Sequence, residues 1–193
     1  MARAISQLDS SVVARAQRGD RQAHADLYEA LAPMIFTIAR RILAVNALAE
    51  DILQETFVEV IRKAGTFRGD VEFAAWVKRI AINKCLMYLR SGWSSRRIAT
   101  DNIDSIAPAS AVNQADEQIA LQTALDCLSG TARAVVWLHD VEGYTHREIG
   151  RLMGRTTSFS KSQLARAHER LRDLLTEPPE GEAPLCTPVL KTY

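Results

Sequence analysis

With 193 residues, 47% of them apolar and 24% charged, the chain has the composition of a soluble globular protein, long enough for one ordinary domain or two small ones. No apolar run approaches the roughly 18–20 residues that span a bilayer, no apolar signal core opens the N-terminus, and Cys85, Cys127 and Cys186 are odd in number and lack metal-ligand spacing. These features argue against a membrane span and a disulfide framework and predict a cytoplasmic protein; the net charge of +1 hides an acid-free basic stretch from Lys78 to Arg97 and an acidic one from Glu177 to Glu182.

Helical periodicity dominates and strand patterns are absent, so the expected fold is all-α. "SSVVARAQRGDRQAHADLYEALAPMIFTIARRILA" predicts two helices, with Asp20 as the cap of the second. "ALAEDILQETFVEVIRKAGTF" places Leu53, Phe57, Val60 and Ile61 at helical spacing, leaves Asp51, Gln54, Glu55 and Glu59 largely off that stripe, and offers Gly65 as a stop. "FAAWVKRIAINKCLMYLRSGW" sets Trp76, Ile80, Asn83, Met87 and Arg90 on one face. From Thr100 to Asp116 the chain turns small, polar and acidic without a period, which reads as a flexible linker. A second helical block follows, punctuated by Gly130, Gly143 and Gly154, and a Pro- and Glu-rich tail from Thr176 to Tyr193 is expected to be disordered.

In the second block, "YTHREIGRLMGRTTSFSKSQLARAHERL" has the layout of a helix-turn-helix: a short helix from about Thr145 to Met153, a stop at Gly154, and a second helix from near Ser158. In that motif the second helix enters the major groove and its N-terminal residues reach base edges. Ser158 or Thr157 is the expected cap, and the capped N–H groups can also donate to a phosphate. Ser160, Lys161 and Gln163 lie in the first two turns, where Gln can pair with adenine and Lys with guanine. Arg166 and Arg170, one turn apart, suit phosphates. Leu164, Ala167, Leu171 and Leu174 form an apolar stripe expected in the core, and a solvated amphipathic helix would account for the charges equally well.

Both blocks together narrow the choice. "AEDILQETFVEVIRKAGTFRGDVEFAAWVKRIAINKCLMYLR" resembles region 2 of the bacterial extracytoplasmic-function sigma factors, and "LSGTARAVVWLHDVEGYTHREIGRLMG" with "SKSQLARAHERLRDLL" resembles their region 4, in matching order and spacing from about Asp9 to Leu175. The resemblance implies two small helical domains, 1–99 and 117–175, joined by the linker 100–116 and followed by the tail 176–193. It implies an alternative sigma factor that binds core RNA polymerase, at the clamp helices of the largest subunit and at the flap, and directs promoter-specific initiation. By the same resemblance Asp51, Gln54 and Glu55 dock on polymerase, although on their own they are equally the wet side of a helix. Asn83 contacts a base of the melted -10 element or is a helix-surface amide, with Lys78, Arg79, Lys84, Arg90, Arg96 and Arg97 as phosphate contacts. Trp76 belongs to the core or stacks on a base, and Phe67 and Phe73 pack. Ser158, Phe159, Ser160, Lys161, Gln163, Arg166 and Arg170 form the -35 surface. The linker, with Asp101, Asp104 and Asp116, runs toward the RNA exit channel by analogy of fold. An anti-sigma factor or another regulator is the further partner.

The chain departs from the family pattern in three places. Leu48 stands where many members carry an acid, and Met87 replaces a second polar base contact found in some. The turn usually runs apolar-Pro-x-Gly-Thr-Val, and here it is Arg155-Thr156-Thr157-Ser158-Phe159-Ser160. Either the apolar anchor has moved to Phe159 or Phe159 faces DNA. The rival readings are a helix-turn-helix regulator that acts without being a polymerase subunit and a helical adaptor that binds only proteins. His24, His139, His146 and His168 are scattered without metal-ligand spacing, so no catalytic activity, metal or cofactor is expected. His146 either reaches a phosphate or is a surface histidine.

Overall fold

The computed structural model of the protein describes residues 9–96 and 114–176, with side chains over 9–91 and 119–176. Among these residues the chain forms eight α-helices and no strand, in two units that divide between Arg90 and Ser91. Arg97, Asp101, Asp104, Cys186 and the tail beyond Thr176 lie outside the described residues, as do the side chains of Arg96 and Asp116.

The N-terminal unit holds α1 (Ser10–Gln17), α2 (Arg21–Leu43), α3 (Asn46–Lys63), a 3-10 turn (Ala64–Thr66) and the long α4 (Phe73–Arg96) as far as Arg90. Asp20 caps α2 as expected, its carboxylate accepting from the N–H groups of Gln22 at 2.9 Å and Ala23 at 3.2 Å. The Ala23 bond above all holds that carboxyl below its usual pKa. On α2 the residues Ala23, Leu27, Leu31 and Ile35 recur every fourth position and pack against Leu53, Phe57 and Val60 of α3 and Phe73, Val77 and Ala81 of α4. Phe67, Phe73 and Trp76 form one aromatic cluster with ring centroids 5.0 to 5.4 Å apart. Trp76 is half-buried in it, so its geometry is that of a packing residue. Ile61, expected in the core stripe, is instead 49% exposed, while Ile52 and Thr56 are buried along with Leu53, Phe57 and Val60.

Cys85 is buried on α4, and burial pushes its thiol up to about 12. Its reaction with a thiol-directed alkylating agent should therefore be slower by orders of magnitude in the folded protein than in denaturant, as mass spectrometry would show.

The C-terminal unit holds α5 (Gln114–Asp126), α6 (Gly130–Val136), a wider turn wound with i→i+5 bonds (Trp137–Val141), α7 (His146–Met153) and α8 (Thr157–Leu175). Helix α5 starts at Gln114, so the last three residues of the expected linker are helical. The core is built from Val135, Leu138, Ile149, Met153, Leu164 and Ala167. Leu171 and Leu174, the outer half of the expected α8 stripe, are only half-buried.

Candidate nucleic-acid interface

The turn between α7 and α8 is set by three local devices. Thr145 opens α7 with a reciprocal cap: Glu148 Oε2 accepts from the Thr145 N–H at 2.8 Å and from its hydroxyl at 2.7 Å, and the Glu148 N–H donates back to Oγ1 at 3.3 Å. Gly154 ends α7 in the left-handed region at φ 63°. Thr156 then caps α8, its hydroxyl oxygen accepting from the Phe159 N–H at 3.1 Å. This corrects the expected cap, Ser158 or Thr157: α8 already begins at Thr157, because the turn needs only two residues after Gly154.

Gly150 is a residue that reading the sequence did not single out. Its carbonyl accepts from the Arg155 N–H at 2.7 Å, which folds the turn back onto α7. A Cβ at this position would lie 2.9 Å from the Arg155 carbonyl oxygen and 3.1 Å from Thr156 carbonyl atoms. A glycine inside an otherwise helical pattern was the available signal.

On α8, Ser158, Lys161, Arg166 and Arg170 are exposed, while Phe159 and Gln163 are half-buried. Arg155 holds its guanidinium carbon 5.5 Å from the centre of the Phe159 ring, so Phe159 is not an interior anchor. Ser160 is a correction. It is fully buried, with its Oγ 3.1 Å from His146 Nδ1, and cannot meet a base edge from there. Steps of four and three residues place it on the inner face with Leu164 and Ala167. His146 is not a plain surface residue: it is half-buried, between Ser160 and the His139 ring.

In the N-terminal unit, Arg79, Asn83, Met87 and Arg90 share one stripe of α4, with Asn83 half-buried and the other three exposed. Tyr88, 44% exposed, stands next to Met87, 59% exposed, so an apolar surface adjoins the amide. Lys78 and Lys84 flank this stripe and are half-buried. Lys84 reaches away from it, its ammonium 3.2 Å from Glu55 on α3. Two residues expected to serve different partners are thus bonded to each other. Asp51, Gln54 and Glu55 are exposed on α3 beside Val58 and Ile61, each 49% exposed.

Family models match both units: "Sigma-70 region 2" over residues 27–95 and "Sigma-70, region 4" over residues 118–171. The chain is 32% identical to the ECF RNA polymerase sigma factor SigM of Mycobacterium tuberculosis, over 86% of this chain and 84% of that protein. It is 34% identical to the RNA polymerase sigma factor CarQ of Myxococcus xanthus, over 84% of this chain and 95% of that protein. The chain belongs to the extracytoplasmic-function sigma factors. Two solved structures share the fold of this sigma factor. The Bartonella quintana sigma factor RpoE in complex with the anti-sigma factor NepR gives a TM-score of 0.51 at 24% identity, covering 75% of this chain and 91% of that one. CnrH in complex with the cytosolic domain of CnrY gives 0.52 at 24% identity, covering 88% and 97%. As a sigma factor the protein binds core RNA polymerase and promoter DNA and directs transcription initiation. The alternative of a regulator that works without polymerase is disfavoured, since region 2 and region 4 occur in one chain. Among the described residues no helix is long and apolar enough to cross a membrane.

Proposed function

We propose that the two units of this sigma factor divide promoter recognition between them. Residues 1–99 dock on polymerase and engage the -10 element, residues 117–175 read the -35 element, 100–116 connect them inside the polymerase, and 176–193 are an appendage. The protein acts in the cytoplasm and supplies recognition while polymerase supplies the chemistry.

The observation that carries the -35 assignment is the α7–turn–α8 geometry, with Ser158 and Lys161 exposed at the start of α8 and Arg166 and Arg170 exposed further along it. The cationic side chains suit phosphates along one strand, and the N-terminal residues suit base edges. On α4, Asn83 beside Met87 and Tyr88 combines an amide with an apolar surface, which suits an unstacked base, while Arg79 and Arg90 suit its backbone. Lys84 supports this surface through Glu55 rather than by free contact with a phosphate. On α3, Asp51 and Gln54 with Val58 and Ile61 offer a mixed acidic and apolar face, which suits a basic protein partner with an apolar centre. One solved structure similar in fold, that of RpoE, contains an anti-sigma factor. A regulator of that kind, covering one or both DNA-facing surfaces, is the further partner.

Transcription reconstituted with core polymerase tests the reading. Promoter-specific transcripts should appear only when the protein is added, and failure across a broad promoter screen with active core enzyme would refute it. Within that assay, Lys161→Ala should lose about 1–3 kcal/mol of discrimination at the -35 element if Lys161 contacts a base. Binding to core polymerase should be unchanged. Loss of polymerase binding instead would mean that α8 has been assigned to the wrong partner.

A further inference from the structure

Three of the four histidines gather in the C-terminal unit, around Asp140 and the buried Ser160. His139 and Asp140 come from the Trp137–Val141 turn, His146 from the start of α7, and Ser160 and His168 from α8. The rings of His139 and His146 stack with centroids 4.5 Å apart and planes 19° from parallel. Asp140 joins His139 to His168, with His139 Nδ1 2.8 Å from Oδ1 and His168 Nε2 2.7 Å from Oδ2. His146 Nδ1 lies 3.1 Å from the Ser160 hydroxyl. One connected network therefore ties two points of α8 to both elements that precede it.

We propose that this network makes the seating of α7 and, through the His146–Ser160 bond, of α8 depend on proton occupancy, holding both helices at neutral pH and loosening them in mild acid, with His146 as the positioning residue that acts through its stack on His139. The effect on transcription rests on reading α8 as the -35 helix; the effect on the helix itself does not.

The charged and titratable groups facing His146 are His139 and Asp140 from the 137–141 turn and Lys161 from α8. His139 and His168 each place a ring nitrogen against an oxygen of the Asp140 carboxylate. Burial raises the pKa of that carboxyl, but the bonds from His168 and His139 outweigh burial and leave it below its usual value. A proton on His146 has no such partner within bonding distance. It faces the His139 ring and the Lys161 ammonium. Desolvation first, then those two neighbours, lower the His146 pKa from 6.5, with Asp140 opposing. The folded chain thus takes up this proton less readily than the unfolded chain. Stability from the site is full above 6.5 and is lost as pH falls through the lowered folded value. The Ser160 bond survives the change, because a neutral Nδ1 accepts from the hydroxyl and a protonated one donates to it. The ring stack is the part that responds. Two like charges at its 4.5 Å spacing shift an equilibrium roughly fivefold even at the dielectric of water.

Hydrogen exchange of the full chain, followed by mass spectrometry at pH 7.5 and 5.5 and corrected with an unstructured peptide, tests this without DNA or polymerase. Protection across α7 and the first half of α8 should fall roughly fivefold at the lower pH, while α2 and α3 hold theirs. His146→Gln keeps a polar partner for Ser160 and cannot titrate, so its protection should stay level between the two pH values. Equal protection of the parent at both pH values would overturn the proposal, as would a fall of the same size in His146→Gln. If that variant does not fold, His146→Phe with Ser160→Val keeps the ring stack and fills the buried place; a persisting fall there also overturns it. Footprinting of the -35 element by the reconstituted holoenzyme is the functional arm. Exchange that responds while the footprint does not would leave the network in place and remove the -35 reading.

Discussion

Gly150→Val should destabilise the C-terminal unit and abolish -35-dependent initiation while core polymerase still binds through the N-terminal unit. The obstacle is backbone: an added Cβ would sit 2.9 Å from the Arg155 carbonyl oxygen and 3.1 Å from Thr156 carbonyl atoms. Neither can swing aside as a flexible side chain would, because the Arg155 N–H is bonded to the Gly150 carbonyl at 2.7 Å and Thr156 caps α8. Two terms oppose each other in the milder Gly150→Ala. Alanine gains about 1 kcal/mol of helix propensity. Forcing an atom into a packed contact costs about 1–3 kcal/mol. The clash should win modestly for alanine, and decisively for valine, which adds two more methyl groups and a β-branch. Thermal unfolding followed by circular dichroism, with a polymerase pull-down and a -35 footprint, would check the order parent, alanine, valine. An alanine variant more stable than the parent would show that α7 and the turn can part at little cost.

Arg133→Ala is expected to be as damaging, through a different route. Arg133 is 6% exposed, and its Nη1 donates to the carbonyls of Leu125 at 3.3 Å, Asp126 at 3.4 Å and Leu128 at 2.9 Å. Helix α5 ends at Asp126, so the guanidinium of α6 closes the C-terminus of the helix before it. The partial negative charge there also favours a cation. Hydrogen bonds to a charged group contribute about 1.5–3 kcal/mol, and truncation adds a cavity. A loss of roughly 3 kcal/mol is a large share of what a unit this small can hold. Arg133→Met, which keeps most of the volume, should recover the packing part alone. Urea unfolding of the C-terminal unit in the three proteins separates the two contributions. A methionine variant as stable as the parent would show that the carbonyl bonds contribute nothing.

Much of the molecule was legible before its structure. Asp20, Thr145 and Gly154 act within a few residues of themselves, and short-range bonds of that kind are written into local order. The α2–α3 core and the inner half of the α8 stripe follow from the helical period. The misreadings share one cause. Ile61 fits the stripe of α3 but faces out, and Ser160 sits in the first turn of α8 but faces in. The pairing of Lys84 with Glu55 was equally out of reach of the basic run that holds Lys84. Arg133 reads as one more cation among many until three carbonyls are found around it.

By itself, then, the sequence determined the helices, the Asp20 cap and the Gly154 stop, the two-block order and the family, because each depends on residues one to four apart or on a motif in linear register. The tertiary structure alone decided which cations are exposed and which are paired, why a Cβ at Gly150 meets backbone, and how three histidines meet around Asp140. Those facts depend on how each helix is rotated against partners far along the chain, and no local spacing encodes that rotation.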